Sequence, residues 1–193
     1  MLPLIVSFYT NDWEYPAHAE RLKRECEALG LEYRVERRDS AGGYIQNTCI
    51  KPFFIREMML SEKRPLLWVD VDGSILKRPI FFDNLNLDFA AKHMTNARKR
   101  VWHVGTMFFN YTVAALKLLD RWCSMSGTLT DESALEEAWR GLNNISYTDI
   151  PANYFEVATG QYRPTSETVI CHRLSKSPSK QQQRHLFVGD RPQ

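Results

Sequence analysis

Two kinds of apolar pattern alternate along the first half of the chain. Leu4-Ile5-Val6-Ser7-Phe8-Tyr9 is a nearly continuous apolar run of strand length, and Thr10-Asn11-Asp12 turns out of it. Leu22, Cys26 and Leu29 then recur at helical spacing, with Pro16 suited to the first turn and Gly30 placed to stop the helix. Leu31, Tyr33 and Val35 alternate with charged residues, which predicts a half-buried strand. The stretch from Asp39 to Thr48 is polar and contains Gly42-Gly43, so it reads as a mobile loop. Pro52 opens a second helix through Leu60, and Arg64-Pro65 leads into the apolar run Leu66-Leu67-Trp68-Val69. The order strand, helix, strand, loop, helix, strand implies an α/β fold with a largely parallel central sheet flanked by helices.

The second half is more mixed. Leu87 to Lys92 and His103 to Asn110 read as strands. Thr112 through Met125 makes an amphipathic helix with Leu116, Leu119 and Cys123 inward, and Asp131 through Trp139 makes another, capped by Thr130 or Asp131. Pro151-Ala152-Asn153-Tyr154 is a turn, and Thr168-Val169-Ile170-Cys171 is a last apolar strand ending at His172. Residues 1–177 read as a single domain, and the Ser-, Gln-, Lys- and Pro-rich residues 178–193 as a loosely ordered tail.

The chemistry concentrates at Asp70-Val71-Asp72-Gly73-Ser74, directly after the four apolar residues Leu66–Val69. In an extended segment, aspartates one residue apart point to the same side of the sheet. Two anions held together there call for a cation or a shared proton, and a hard divalent ion such as Mn2+ or Mg2+ satisfies both. Gly73 permits a tight turn or a close approach. In α/β sheets ligands bind beyond the carboxyl ends of the strands, so Tyr9-Thr10 and Asp70-Asp72 can share one crevice.

Composition narrows the field only modestly. The 193 residues suffice for one domain with a proper core, and 44% hydrophobic with 25% charged content is ordinary for a globular protein. A net charge of +2 does not by itself argue for nucleic acid. Basic runs at Arg34–Arg38, Arg98–Arg100 and Arg173–Lys180 add weight to a DNA acceptor only if the last two flank the crevice. Cys26, Cys49, Cys123 and Cys171 are scattered without a CxxC, which points to free thiols, buried in helices and a strand, rather than zinc or disulfides. His18, His93, His103 and His185 show no metal-site spacing. The start of the chain lacks a secretory pattern and no apolar run reaches membrane-spanning length, so a cytoplasmic protein without membrane insertion is expected (host cytoplasm if phage-encoded).

A wider combination of motifs resembles one family. Lys51-Pro52-Phe53-Phe54-Ile55, then Leu66 through Asp72, then Pro79 resemble the donor half of bacterial and phage nucleotide-diphospho-sugar transferases with a GT-A fold. Gly105-Thr106-Met107-Phe108-Phe109-Asn110, with Ala114-Ala115 and Leu118-Leu119 before Trp122, is similar to a second signature of that group. Asp131-Glu132-Ser133-Ala134-Leu135 resembles its acidic helix start, and Ile170-Cys171-His172 followed by Ser175 its closing strand.

The resemblance implies a metal-dependent glycosyltransferase that moves a sugar from a nucleotide-diphosphate donor, by family habit a UDP-sugar, to a hydroxyl acceptor in a glycan, a protein or a modified phage DNA base. It implies that Asp70, Asp72 and His172 hold Mn2+ or Mg2+. Tyr9, Thr10, Lys51, Asp70, Val71, Gly105 and Thr106 would bind the nucleotide sugar, and Asp131 and Glu132 would approach the sugar or acceptor. Each residue also has a plainer reading: Lys51 as a surface residue before a helix, Gly105-Thr106 as a strand turn, Asp131 as a helix cap, His172 as a structural histidine. The 39–48 loop precedes Lys51 and sets Gly42-Gly43 beside the amphipathic Tyr44, so it is expected to close over the donor, with an ordinary surface turn as the plainer reading. His172-Arg173-Leu174-Ser175-Lys176 departs from the His-x-x-Gly-x-x-Lys closing motif of some related transferases, which weakens its claim on the diphosphate.

Two other readings of the aspartates remain open in the sequence. Asp70-Val71-Asp72-Gly73-Ser74-Ile75 also resembles the first motif of haloacid dehalogenase-type phosphatases, with Asp70 as nucleophile, and Phe187-Val188-Gly189-Asp190 resembles their acidic metal motif. Against this, that motif normally lies on the first strand, whereas here a strand-helix-strand-helix unit precedes it. The third reading is a non-catalytic nucleotide-sugar binding module.

Overall fold

A computed structural model describes residues 2–95, 100–127, 129–158 and 164–173. Its strands are β1 (Leu4–Tyr9), β2 (Tyr33–Arg37), β3 (Leu66–Val69), β4 (Gly73–Ile75), β5 (Phe89–Thr95), β6 (Arg100–Phe109), β7 (Tyr147–Asp149), β8 (Glu156–Ala158) and β9 (Ile170–Arg173). Its helices are α1 (Tyr15–Ala28), α2 (Tyr44–Thr48), α3 (Ile50–Glu62), α4 (Val113–Met125) and α5 (Asp131–Arg140). Single 3-10 turns occupy Ile80–Phe82 and Ala152–Tyr154.

Six strands form the central sheet in the order β2-β1-β3-β6-β5-β7. Strand β1 runs parallel to β2 and β3, and β5 parallel to β7, while β6 runs against both β3 and β5. The sheet is therefore mixed, parallel where the βαβ units of the first half build it. The two-residue period of the strands divides the apolar runs between two cores. Leu4, Val6, Leu66, Trp68, Met107 and Phe109 face the core shared with α3, α4 and α5. Ile5, Leu67, Val69 and Phe108 face the other, which α1 and a second sheet complete. Burial on both faces explains why these strands read as continuous apolar runs.

The second sheet, β4-β9-β8, is absent from the sequence pattern because two of its strands have only three residues. The short edge strand β7 escapes for the same reason. Other expectations shift in detail. The inward face of α4 is Ala115, Leu118, Leu119 and Trp122, with Leu116 and Cys123 at its margins, since four turns of an amphipathic helix allow more than one apolar stripe. The expected loop from Asp39 to Thr48 is half helix: α2 follows Gly43, and Asn47 Oδ1 accepts from the Ala41 amide at 2.6 Å. No disulfide forms; Cys26 and Cys171 are buried thiols, and Cys49 and Cys123 are half-buried. Among the described residues, no helix is long and apolar enough to cross a membrane. Arg98, Lys99, residues 174–193 with Ser175 and His185, and the Phe187–Asp190 motif lie outside the described residues.

Asp88 ties the far end of the sheet together. Its carboxylate accepts from the Ser146 amide at 2.8 Å, the Ser146 hydroxyl at 2.6 Å and the Thr112 hydroxyl at 2.7 Å. Partial burial works against the charge, but the Ser146 and Thr112 hydrogen bonds win and hold the carboxyl below its ordinary range. Asp88→Ala is expected to cost about 1.5–3 kcal/mol in urea unfolding at neutral pH. Because the folded pKa lies below the unfolded one, this difference is complete above about pH 4 and shrinks as pH falls through the folded value.

Candidate metal and donor site

The site begins where β3 ends. Asp70 leaves the strand with its amide bonded to the Gly105 carbonyl of β6 at 2.8 Å, and the chain then turns sharply, the Gly73 amide donating to the Asp70 carbonyl at 2.7 Å. The two aspartates thus sit in a turn that hands the chain from the large sheet to the small one, not along one extended strand as the alternation argument supposes. The turn nevertheless brings them together. Strand β4 pairs antiparallel with β9, setting Gly73 opposite His172. Ligand atoms of Asp70, Asp72 and His172 all lie within 4.8 Å of one another, with Asp72 and His172 buried.

Two carboxylates and one imidazole form a donor set that suits a divalent cation: the oxygens fit Mg2+ or Mn2+, and the nitrogen favours Mn2+. A second partner orients the imidazole, since Thr106 Oγ1 and His172 Nε2 are hydrogen-bonded at 2.7 Å, the arrangement histidine ligands commonly have. The ring fits only because its neighbours lack side chains. A Cβ on Gly105 would stand 2.9 Å from His172 Cε1 and 2.8 Å from His103 Cε1, and one on Gly73 would stand 3.2 Å from His172 Cε1. Gly105 therefore faces two imidazoles of its own chain.

A buried ammonium lies next to this cluster. Lys51, only 4% exposed, projects from the first turn of α3. Its Nζ is 2.7 Å from Asp131 Oδ2, 3.0 Å from Asp70 Oδ1 and 3.3 Å from the Val104 carbonyl. Burial alone drives an ammonium toward neutrality, but the carboxylates of Asp131 and Asp70 outweigh it and raise the Lys51 pKa. Trp68 Nε1 donates to the same Asp70 oxygen at 2.9 Å, as expected for residues two apart on one strand face. Asp131 begins α5 but does not cap it. Thr130 does, accepting from the Ser133 amide, while Asp131 Oδ1 accepts from the Glu132 amide at 3.0 Å.

Lys51, Asp70, Asp72, Gly105, Thr106, Asp131 and His172 are thus one continuous group. Val71 lies in the turn, buried in the core that includes α1. Glu132 is exposed beside Asp131. Tyr9 ends β1 and Thr10 follows it, at the same carboxyl end of the parallel strands as Asp70, with Tyr9 half-buried and Thr10 buried.

The sequence assigned no role to three further residues. His103 lies with its ring centroid 5.1 Å from that of His172, its Nδ1 buried without a partner, and burial together with His172 pushes its pKa down to about 4. The two-residue step from His103 to Gly105 along one strand face was the available signal. Trp13, in the loop leaving β1, is 59% exposed and holds φ at 56°, an unfavourable conformation for a bulky residue. Arg21 of α1 donates to the Gly73 carbonyl at 2.8 Å. The helical period marks Arg21 only as a polar-face residue.

No family model matches the chain, and no curated protein matches it in sequence. Solved structures do match in shape. A glycosyltransferase involved in the glycosylation of the major capsid of PBCV-1 superposes with a TM-score of 0.72 at 12% identity, covering 97% of this chain and 100% of its own. GlyE, a glycosyltransferase of Streptococcus pneumoniae TIGR4, gives 0.60 at 10% identity over 91% of this chain and 55% of its own. The galactosyltransferase LgtC, in complex with donor and acceptor sugar analogs, gives 0.52 at 8% identity over 98% of both chains. The chain has the α/β fold of these GT-A-like glycosyltransferases.

Two substitutions test the site's construction. Lys51→Met is expected to cost about 3–5 kcal/mol in chemical unfolding, because it leaves buried carboxylate charge uncompensated. Adding Asp131→Leu should recover part of that loss, a non-additivity that a double-mutant cycle measures. Gly105→Ala is expected to cost about 1–3 kcal/mol through overpacking. It should also displace the His103 and His172 ring resonances in NMR spectra while leaving those of His93 in place.

Proposed function

We propose that this protein is a metal-dependent glycosyltransferase that moves a sugar from a nucleotide-diphosphate donor, by preference a UDP-sugar, to a hydroxyl acceptor. The observation that carries the reading is the Asp70, Asp72 and His172 cluster at the end of β3, in a fold shared with glycosyltransferases. A divalent ion bound there would neutralise the donor diphosphate and favour its departure.

The chain's own groups divide the remaining work. Lys51 is committed to Asp70 and Asp131, so it acts as a positioning residue that fixes both carboxylates, and contact with phosphate is not required of it. Asp131 holds a negative charge near the sugar, where an oxocarbenium-like transition state is favoured by nearby carboxylate. Glu132 is the member of the acidic pair within reach of an acceptor, because it is exposed where Asp131 is buried. Tyr9 and Thr10 border the nucleotide, and the exposed indole of Trp13 offers a flat face on which a base can stack. The acceptor is a sugar, a side chain or a modified base, and the described surface favours none of these.

Calorimetric titration of UDP with and without Mn2+ tests the proposal. Wild-type protein should bind UDP at least tenfold more tightly with Mn2+, and Asp72→Asn should erase that gain while its melting temperature stays within a few degrees. Equal UDP affinity with and without Mn2+ in the wild-type protein would refute the donor site.

A further inference from the structure

Strand β4 is only three residues long and has a hydrogen-bonded strand partner on one edge, β9. Within a strand, the carbonyl of Gly73 and the amide of Ile75 point to the same edge. Both meet side chains of α1 in place of a neighbouring strand. Arg21 Nη2 donates to the Gly73 carbonyl at 2.8 Å and reaches the Val71 carbonyl at 3.5 Å. Glu25 Oε2 accepts from the Ile75 amide at 2.9 Å. The two side chains lie one helical turn apart and pair with each other, Arg21 Nε to Glu25 Oε1 at 3.5 Å, and a further Arg21 nitrogen lies 2.9 Å from His18 Nδ1. A donor and an acceptor carried by one helix thus reproduce the hydrogen-bonding edge of a strand.

The carbonyls that Arg21 reaches bracket Asp72, and the strand that Glu25 holds is the one that sets Gly73 opposite His172. Asp72 and His172 supply two of the three candidate ligands. We propose that the Arg21–Glu25 pair is a positioning device for the metal centre, keeping the 71–73 turn and β4 in the register that lets Asp72 and His172 engage one cation together. The inference rests on the metal-site reading above and adds two residues that touch neither the cation nor the donor. The planar guanidinium spreads its contacts over three nitrogens, Nη2 on the two carbonyls, Nη1 beside His18 and Nε toward Glu25, whereas a lysine ammonium offers a single point that cannot reach all of them. Outer partners of this kind typically change metal affinity by about 10–100-fold.

The test is Mn2+ binding followed by electron paramagnetic resonance of the free ion, with thermal unfolding measured on the same samples. Arg21→Gln and Arg21→Lys should each weaken Mn2+ binding at least tenfold. Glu25→Ala should do the same, whereas Glu25→Gln, whose carboxamide oxygen can still accept from Ile75, should stay within about threefold of wild type. A control that breaks a surface pair between α3 and α4, Arg56→Gln, should leave Mn2+ affinity unchanged. Lowered melting temperature with unchanged Mn2+ affinity in folded Arg21 and Glu25 variants would overturn the inference and leave the metal site standing. Absence of Mn2+ binding by wild-type protein would overturn both.

Discussion

A single buried ammonium organises this molecule's working edge. Lys51 brings together α3, which carries it, the end of β3 at Asp70, the start of α5 at Asp131, and β6 through the Val104 carbonyl. Removing a charge from water costs several kcal/mol, and the interaction repays it only when geometry and remaining hydrogen bonds are good. Here two carboxylates and a carbonyl surround the ammonium, and Trp68 supplies a further donor to the shared Asp70 oxygen. A greasy contact would hold the same helices against the sheet with comparable strength. It would not dictate where two carboxylates sit.

Much of the scaffold was legible because long periodic segments announce themselves. Strand β1, helices α1, α3, α4 and α5, and the Thr130 cap follow directly from apolar spacing and capping chemistry. The same logic failed where elements were too short to carry a period: β4, β7 and β8 have three residues each. It also missed that β6 runs against its neighbours, because pattern encodes strand burial but not strand direction. α2 was hidden by the glycines before it, which mark where backbone can bend without saying whether a helix follows.

Legibility of the site had a similar limit. The Asp70 and Asp72 pair stood out by its placement after an apolar run, and the grouping with His172 came from family likeness, since nothing local to His172 reveals what faces it. What the sequence withheld was who stands beside whom across long separations. Arg21 and Glu25 read as an ordinary helix-surface pair, and His103 as an isolated histidine, until the small sheet folds back over α1 and Gly105. The geometry expected for the aspartates was also wrong in kind: a turn between sheets does the work assigned to an extended strand.

That turn has a consequence for how the protein is made. Because Asp72 lies in the turn that enters the small sheet and His172 on β9, the candidate cation site is closed by segments separated by about half of the chain. Contacts of such long sequence separation form late, after loop-closure entropy has been spent on nearer pairings. On a ribosome, the parallel β1-β2-β3 unit with its helices can emerge and begin to pack while the pocket still lacks a wall. A divalent ion held at these residues would therefore meet a finished scaffold and could not serve as the seed around which the fold condenses.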